Sequence, residues 1–299
     1  MILLFGANGQ LGQELVRLAA SRGIALTPLS RAETDIADAE AVRGAIAAHR
    51  PALVVNAAAY TKVDLAETEV EAARQGNEIG PKLLAQSCAA AALPLIHIST
   101  DYVFDGQKSG AYVETDPVAP TGSYGRSKAA GEAAVRAAHP RHVILRTAWV
   151  YGEFGNNFLK TMLRLAATRD ELRVVADQRG CPTATGDLAA AILALAPRLV
   201  ANEDVWGTSH FAGTGATTWH GFASRIVAAQ APLTGRTPRV TPITTAEYPT
   251  PARRPANSEL DSGKFARVFG LRARPWEEQT DAITRALVVA QQGKTANVA

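Results

Sequence analysis

The chain has 299 residues, 47% hydrophobic and 20% charged, enough for one large core or for a domain with a smaller lobe. A net charge of +3 without any Lys/Arg run suits a small anionic ligand and gives no reason to expect nucleic acid. Two widely separated cysteines, Cys88 and Cys181, form neither a disulfide framework nor a metal cluster, and the short apolar start "MILLFGANG" is neither a signal peptide nor a membrane span, so a cytoplasmic protein with no membrane partner is expected.

In chain order, "MILLFGA" is a short apolar run ending in glycine, and "GQLGQELVRLAASRG" follows with helical spacing. "IALTPLS", a turn at "RAETDIAD" and the helix "DAEAVRGAIAAHR", which Asp38 is placed to cap, come next. "PALVVNAAA" reads as a buried strand. A long acidic helical stretch from Asp64 to Gly76 leads to "NEIGPKLLAQSCAAAA", and "LPLIHIST", "SKAAGEAAVRAAH" and "RHVILRTAWV" continue as strand, helix and strand. Apolar strands alternating with helices of ten or more residues imply a parallel sheet covered on both faces, an α/β doubly wound fold of Rossmann type. "NNFLKTMLRLAATRD" and "ELRVVADQ" read as one more helix and strand of the same sheet. Beyond "RGCPTATGD", Pro, Thr and Gly become frequent. Residues 1–176 are therefore expected to bind the cofactor. Residues 177–299 should form mainly a smaller substrate-binding lobe, with parts of 205–230 returning to the sheet. The tail "QQGKTANVA" reads as frayed.

The first βα turn, "GANGQLG", spaces Gly6, Gly9 and Gly12 so that backbone N–H groups can approach a pyrophosphate at a helix N-terminus. Asn8, Gln10 and Leu11 lie in the same turn and join these glycines as candidate cofactor contacts. At the end of the second strand stands Arg31, where a carboxylate would otherwise hold a ribose 2′-OH. An arginine there pairs with a 2′-phosphate, which favours NADP over NAD, though a solvated loop charge is the plainer alternative. Asp35 and Ile36 are placed to flank an adenine. Ala57, Ala58, Ala59 and Tyr60 offer small side chains where backbone passes close to a cofactor, or simply tight packing.

"HIST" ends a strand with Ser99 and Thr100, at the sheet edge where ligands of open α/β folds sit. Tyr124 and Lys128 in "SYGRSK" are one helical turn apart and share a face. Free tyrosine titrates near 10, and a neighbouring ammonium is expected to lower that value. Thr100 would hold a carbonyl oxygen, Tyr124 would exchange the proton, and Lys128 would also bind the nicotinamide ribose. The hydride would come from the cofactor. A Y-x-x-x-K spacing alone is weak, because either residue at a helix start is usually packing or a solvated charge. Behind a glycine turn and a strand-end hydroxyl it is strong.

With these stretches in order, "LLFGANGQLGQEL", "VVNAAAYTKVDLAE", "STDYVFDG", "YGRSKAAGE", "LRTAWVYG", "DQRGCPT" and "RRPANSELD", the chain resembles the extended short-chain dehydrogenase/reductase superfamily. Within it the chain resembles the reductases that complete dTDP-L-rhamnose synthesis. The resemblance implies NADPH- or NADH-dependent reduction of the 4-keto group of a dTDP-6-deoxyhexulose, with Thr100, Tyr124 and Lys128 as the catalytic triad. It also implies that Trp149 lies against the sugar and that Asn77 lies close to the active-site helix among the cofactor contacts, where an ordinary N-cap is the alternative. Val63, Tyr102, Val103, Asn157 and Phe158 are placed along the sugar pocket, the apolar ones equally suited to the core. Arg254 and Trp276 are placed to reach the nucleotide from the small lobe. Some members are magnesium-bridged homodimers, and Glu14 and Asp187 are the nearest matches to their acidic residues. Two isolated carboxylates are too few for a hard cation, so the reading of the residues themselves is no metal. An epimerase or dehydratase of the same superfamily is the enzyme alternative, although Tyr102 stands where a dehydratase has a second acid. A non-catalytic NADP-binding regulatory subunit is the alternative of another class.

Overall fold

Apolar runs long enough for one sheet crossing, each followed by a helical run, assemble as parallel strands because both faces must be covered. The computed structural model describes residues 1–296. Its elements begin with β1 (Ile2–Phe5), α1 (Gln10–Ser21), β2 (Leu26–Leu29), α2 (Ala39–His49), β3 (Leu53–Asn56), α3 (Val70–Arg74) and α4 (Gly80–Ala90). There follow β4 (Leu95–Thr100), α5 (Ser123–Ala138), β5 (His142–Thr147), β6 (Val150–Tyr151), α6 (Phe158–Ala166), β7 (Glu171–Val175), β8 (Arg179–Gly180) and β9 (Thr183–Ala184). The chain continues with α7 (Thr185–Val200), β10 (Gly207–His210), β11 (Thr217–Thr218), α8 (Trp219–Thr234), β12 (Arg239–Ile243), β13 (Asn257–Ser258), α9 (Gly263–Phe269) and α10 (Trp276–Ala296).

The main sheet is parallel, in the order β10-β5-β4-β3-β1-β2. Successive strand residues fall alternately into two cores, as a period of two requires. Leu4, Val55, Ile96 and Leu145 pack with α1 and α7, whereas Leu3, Phe5, Val54 and Ile144 pack with α2, α4 and α5. The chain leaves β1 to one side for β2 and to the other for β3. That reversal opens a crevice at the carboxyl ends of β1 and β3, where ligands of such sheets bind. Asp38 caps α2 as its position suggested, accepting from the Glu40 and Ala41 N–H groups at 2.9 and 3.1 Å.

Three expectations are corrected. The strand in "ELRVVADQ" does not extend the main sheet: β7 pairs in parallel with β12, through Glu171–Val175 and Arg239–Ile243, in a separate two-stranded sheet. Its apolar residues Leu172 and Val174 face α6 and α8, which supply a nearer partner than the sheet edge. That edge is taken by β10 from residues 207–210. Next, the helix expected from Asp64 to Gly76 is broken into a 3-10 turn at Leu65–Glu67, the short α3 and a π turn at Gln75–Ile79. Finally, the tail read as frayed continues α10 to Ala296, and residues 297–299 lie outside the described residues. Residues after 177 serve both halves, since α7, β10 and α9 pack on the main sheet while α8 and α10 pack with α6. Among the described residues no helix is long and apolar enough to cross a membrane.

Candidate active site and cofactor cleft

β1 ends at Gly6, whose φ of +88° suits only glycine, and an added Cβ would stand 2.4 Å from the Ala58 nitrogen. The turns after β1 and β3 therefore meet. Gly9 caps α1 without a side-chain hydrogen bond, and the helix has no acidic residue in its first turn. The first amides of α1, those of Gln10, Leu11 and Gly12, have no intrahelical acceptor, and the helix dipole favours an anion beside them. A cleft of about 930 Å³ opens there. It is lined by Gly6, Asn8 and Gly9, by Arg31, Asp35 and Ile36, and by Ala57 to Tyr60, as far as Gln75 and Gly76. That is room for a ligand of dinucleotide size. The close approach at Gly6 and the uncapped helix end fit a dinucleotide's pyrophosphate.

Arg31 and Lys62 are exposed cations of the rim, and the Arg31 Nε donates to Asp35 at 3.0 Å. Gln10 and Leu11 can offer only backbone, because Gln10 Nε2 donates to the Val150 carbonyl at 3.3 Å and Leu11 is in the core. Asn77 is fully buried in the π turn and is neither an N-cap nor free for a ligand. Its Oδ1 accepts from Tyr60 N–H at 2.9 Å, and its Nδ2 donates to the Tyr60 carbonyl and to Ser127 Oγ at 3.0 Å. It thus ties the cleft floor to α5. Ser99, the penultimate residue of β4, is buried in register with Arg146 of β5 and hydrogen-bonds Glu132.

Tyr60 lines the cleft and also packs against the cluster of Ala66, Ala73 and Tyr124, so cleft and phenol share a wall. Tyr124 and Lys128 are the second and sixth residues of α5, 9% and 2% exposed. Lys128 Nζ donates to the Ile98 carbonyl at 2.7 Å. Burial brings the ammonium down to about 8, and Glu132, one turn further along α5, opposes that shift. Glu132 is itself fully buried and takes two hydrogen bonds from Arg146, at 2.8 and 2.7 Å.

One chemical expectation is corrected here. Lys128 does not lower Tyr124: burial first, and then the charge of Asp101, push the phenol above its ordinary value, with Thr100 opposing. The phenol is therefore held protonated, the form a reductase needs before it acts. The Thr100 hydroxyl has several partners inside the protein: its Oγ1 donates to Asp101 Oδ1 at 3.0 Å, accepts from Tyr102 N–H at 3.2 Å and lies within hydrogen-bond reach of Tyr124. Asp101 is buried, and burial raises its carboxyl to about 6.

On the substrate side, Val63 and Tyr102 border Tyr124, with the Tyr102 ring edge-on at 5.4 Å. Val103 is core, fully buried with Phe104 and Ala148. Trp276 is core as well, edge-on to Phe222. Asn157 caps α6, accepting from Lys160 N–H at 3.1 Å, and its Nδ2 is spent on the Gly152 carbonyl. Trp149 has a φ of +48°, a strained backbone state for a bulky residue, and Phe158 stands near it in an aromatic cluster. Arg254 Nη2 donates to Asp64 Oδ2 at 2.6 Å, joining the small lobe to the loop after β3.

Glu14 and Asp187, the weak metal candidates, have protein partners. Glu14 pairs with Arg17, and Asp187 accepts from the Arg274 backbone and guanidinium. Among the described residues no group of three His, Cys, Asp or Glu is gathered for a metal ion. His97 is buried beside Asn56 Nδ2 at 3.0 Å, and burial holds it well below its usual range, so it is no proton source. Both cysteines are buried free thiols.

Glu67 and Trp219 escaped sequence reasoning, the first because its partner lies 56 residues away. The aromatic opening of α8, "TTWHGF", was the available signal for the second.

A dinucleotide cleft leading to a buried Tyr-Lys pair at the end of β4 defines a nicotinamide-dependent reductase of the extended short-chain type. Residues 1–289 match the family described as the RmlD substrate binding domain, and the chain belongs to that family. A curated dTDP-4-dehydrorhamnose reductase of Sinorhizobium fredii is 45% identical over 97% of this chain and 98% of its own. The dTDP-4-dehydrorhamnose reductase of Clostridium acetobutylicum superposes with a TM-score of 0.88 at 40% identity, over 96% of this chain and 99% of the other. The enzyme of that name from Bacillus anthracis, solved with NADP, superposes with a TM-score of 0.87 at 36% identity, over 94% and 97%.

Proposed function

We propose that the protein reduces the 4-keto group of dTDP-4-dehydro-β-L-rhamnose with NADPH, giving dTDP-L-rhamnose in the cytoplasm. NADPH, when bound, supplies the hydride that reaches the carbonyl carbon. Gly6, Gly9 and the α1 amides hold the pyrophosphate, and Arg31 pairs with the 2′-phosphate once it leaves Asp35. Tyr124 donates its proton to the carbonyl oxygen as negative charge develops there. Lys128 then stabilises the phenolate and grips the ribose, exchanging the Ile98 carbonyl for these partners. Thr100, held by Asp101, hydrogen-bonds the Tyr124 phenol and positions it. Trp149 and Tyr102 border the sugar, and Arg254 meets the nucleotide's diphosphate.

The observation that carries this reading is a buried phenol kept protonated one helical turn from a buried ammonium, on a wall shared with a dinucleotide cleft. A dehydratase is disfavoured because Tyr102 packs on Tyr124 where a second acid would be needed. The test is NADPH and NADH oxidation against a panel of 4-keto dTDP-sugars and their UDP counterparts. Turnover with the dTDP-4-keto-rhamnose substrate alone supports the reading, and turnover with none of the panel overturns it. The family resemblance also implies a homodimer, which light scattering of the purified protein tests.

A further inference from the structure

Trp149 follows β5 on the main sheet, and Trp219 opens α8 in the small lobe, yet their rings stack face to face with centroids 3.6 Å apart and planes 11° from parallel. Phe158 of α6 backs the second ring at 4.6 Å. On another side the Trp149 ring lies on β8, where a Cβ at Gly180 would stand 2.5 Å from its Cε2. The Trp149 carbonyl accepts from Thr183 N–H at 3.1 Å. A bulky residue keeps a left-handed backbone only where its surroundings over-determine it, and these contacts supply that determination. Both indoles remain half-buried. A packed core has no need of a strained tryptophan. A surface that must present one ring at a fixed angle does.

We propose that Trp219 is the positioning residue of the sugar site: its ring holds Trp149 in the orientation that packs against the substrate's hexose. Trp219 itself acts only through Trp149. The inference rests on the assignment of Trp149 to the sugar made above. It gives α8 a function, because the small lobe then sets substrate affinity through one aromatic contact. Gly180 belongs to the same device as the floor on which the ring lies.

The test compares Trp219→Leu, Trp219→Phe and Trp149→Leu with the double variant Trp149→Leu/Trp219→Leu in the full chain, measuring KM for the 4-keto dTDP-sugar and for NADPH, with kcat and the thermal midpoint. Loss of the stack is expected to raise the sugar KM about tenfold in Trp219→Leu, with NADPH KM unchanged. Trp219→Phe, which keeps a ring and a folded α8, is expected to raise the same parameter in the same direction by less. The double variant is expected to be no worse than Trp149→Leu, because one residue acts through the other. A raised sugar KM in Trp149→Leu beside native values in both Trp219 variants overturns the positioning role alone, as do additive losses in the double variant. A native sugar KM in Trp149→Leu removes the assignment of Trp149 itself. A rise in both substrates' KM in Trp219→Phe marks a general packing defect and also overturns the proposal.

Discussion

Glu67 caps the helix that carries Tyr124: its Oε1 accepts from Ser123 N–H at 2.8 Å and its Oε2 from Ser123 Oγ at 3.0 Å. The N-cap of α5 is Gly122, which has no side chain to do this, so a carboxylate from the 3-10 turn after β3 serves instead. The contact fixes the loop that follows β3 against the residue preceding Tyr124. Glu67→Ala leaves the Ser123 amide and hydroxyl without this acceptor and is expected to cost about 1–2 kcal/mol of stability by urea denaturation. A several-fold fall in kcat with NADPH KM unchanged is the expected kinetic effect.

The cofactor preference turns on Arg31 and Asp35. Asp35 occupies the guanidinium and places a negative charge beside it on the cleft rim. Arg31→Ala is expected to raise KM for NADPH about tenfold while leaving NADH nearly unaffected, since a charge-assisted pair is lost in only one case. Asp35→Asn is expected to act oppositely and lower KM for NADPH. Steady-state kinetics with each cofactor checks both.

Lys128 sets an alkaline limit. Its ammonium titrates at about 8, so kcat/KM is expected to fall as pH rises through that value. The stability effect has the other sign. An unfolded lysine titrates at 10.5, so between 8 and 10.5 the unfolded chain binds more protons and this group's contribution to stability rises with pH. Lys128→Met is therefore expected to abolish turnover while raising the neutral-pH thermal midpoint. A pH–rate profile and a melting series measure the two.

On the proposed reading Arg254 meets the sugar nucleotide. It is held by Asp64, and its charge also acts on Tyr102 beside the phenol. Arg254→Gln is expected to raise KM for the dTDP-sugar about tenfold, the scale of one lost charge-assisted contact, with NADPH unaffected. Isothermal titration with dTDP alone isolates the diphosphate's share.

Much of this was legible from local pattern. The glycine turn, the Asp38 cap and the apolar strands up to Thr147 are short-range signals, because each depends on neighbours a few residues away. The pairing of β7 with β12 was not legible, since Leu172 and Val174 are equally apolar against either sheet and only the helices of the small lobe decide. Tyr124 and Lys128 could be found from spacing, but not the sign of their effect. One turn of helix brings two residues to one face, whereas the depth of burial that keeps the phenol protonated is a property of the assembled core. Val103, Trp276 and Asn157 stood at plausible positions and were lost to packing or capping, which motif order does not encode. Glu67 and Trp219 act on partners distant in sequence or on another lobe, and beyond the aromatic opening of α8 nothing local marks them.

The central claim is that Tyr124 delivers the proton while the cofactor delivers the hydride. Single-turnover NADPH oxidation with the 4-keto dTDP-sugar, comparing the native chain with Tyr124→Phe, tests it most directly. The account predicts a fall in rate of at least about a hundredfold, the usual scale of one general acid, with NADPH affinity unchanged. A Tyr124→Phe variant that turns over at the native rate would contradict it.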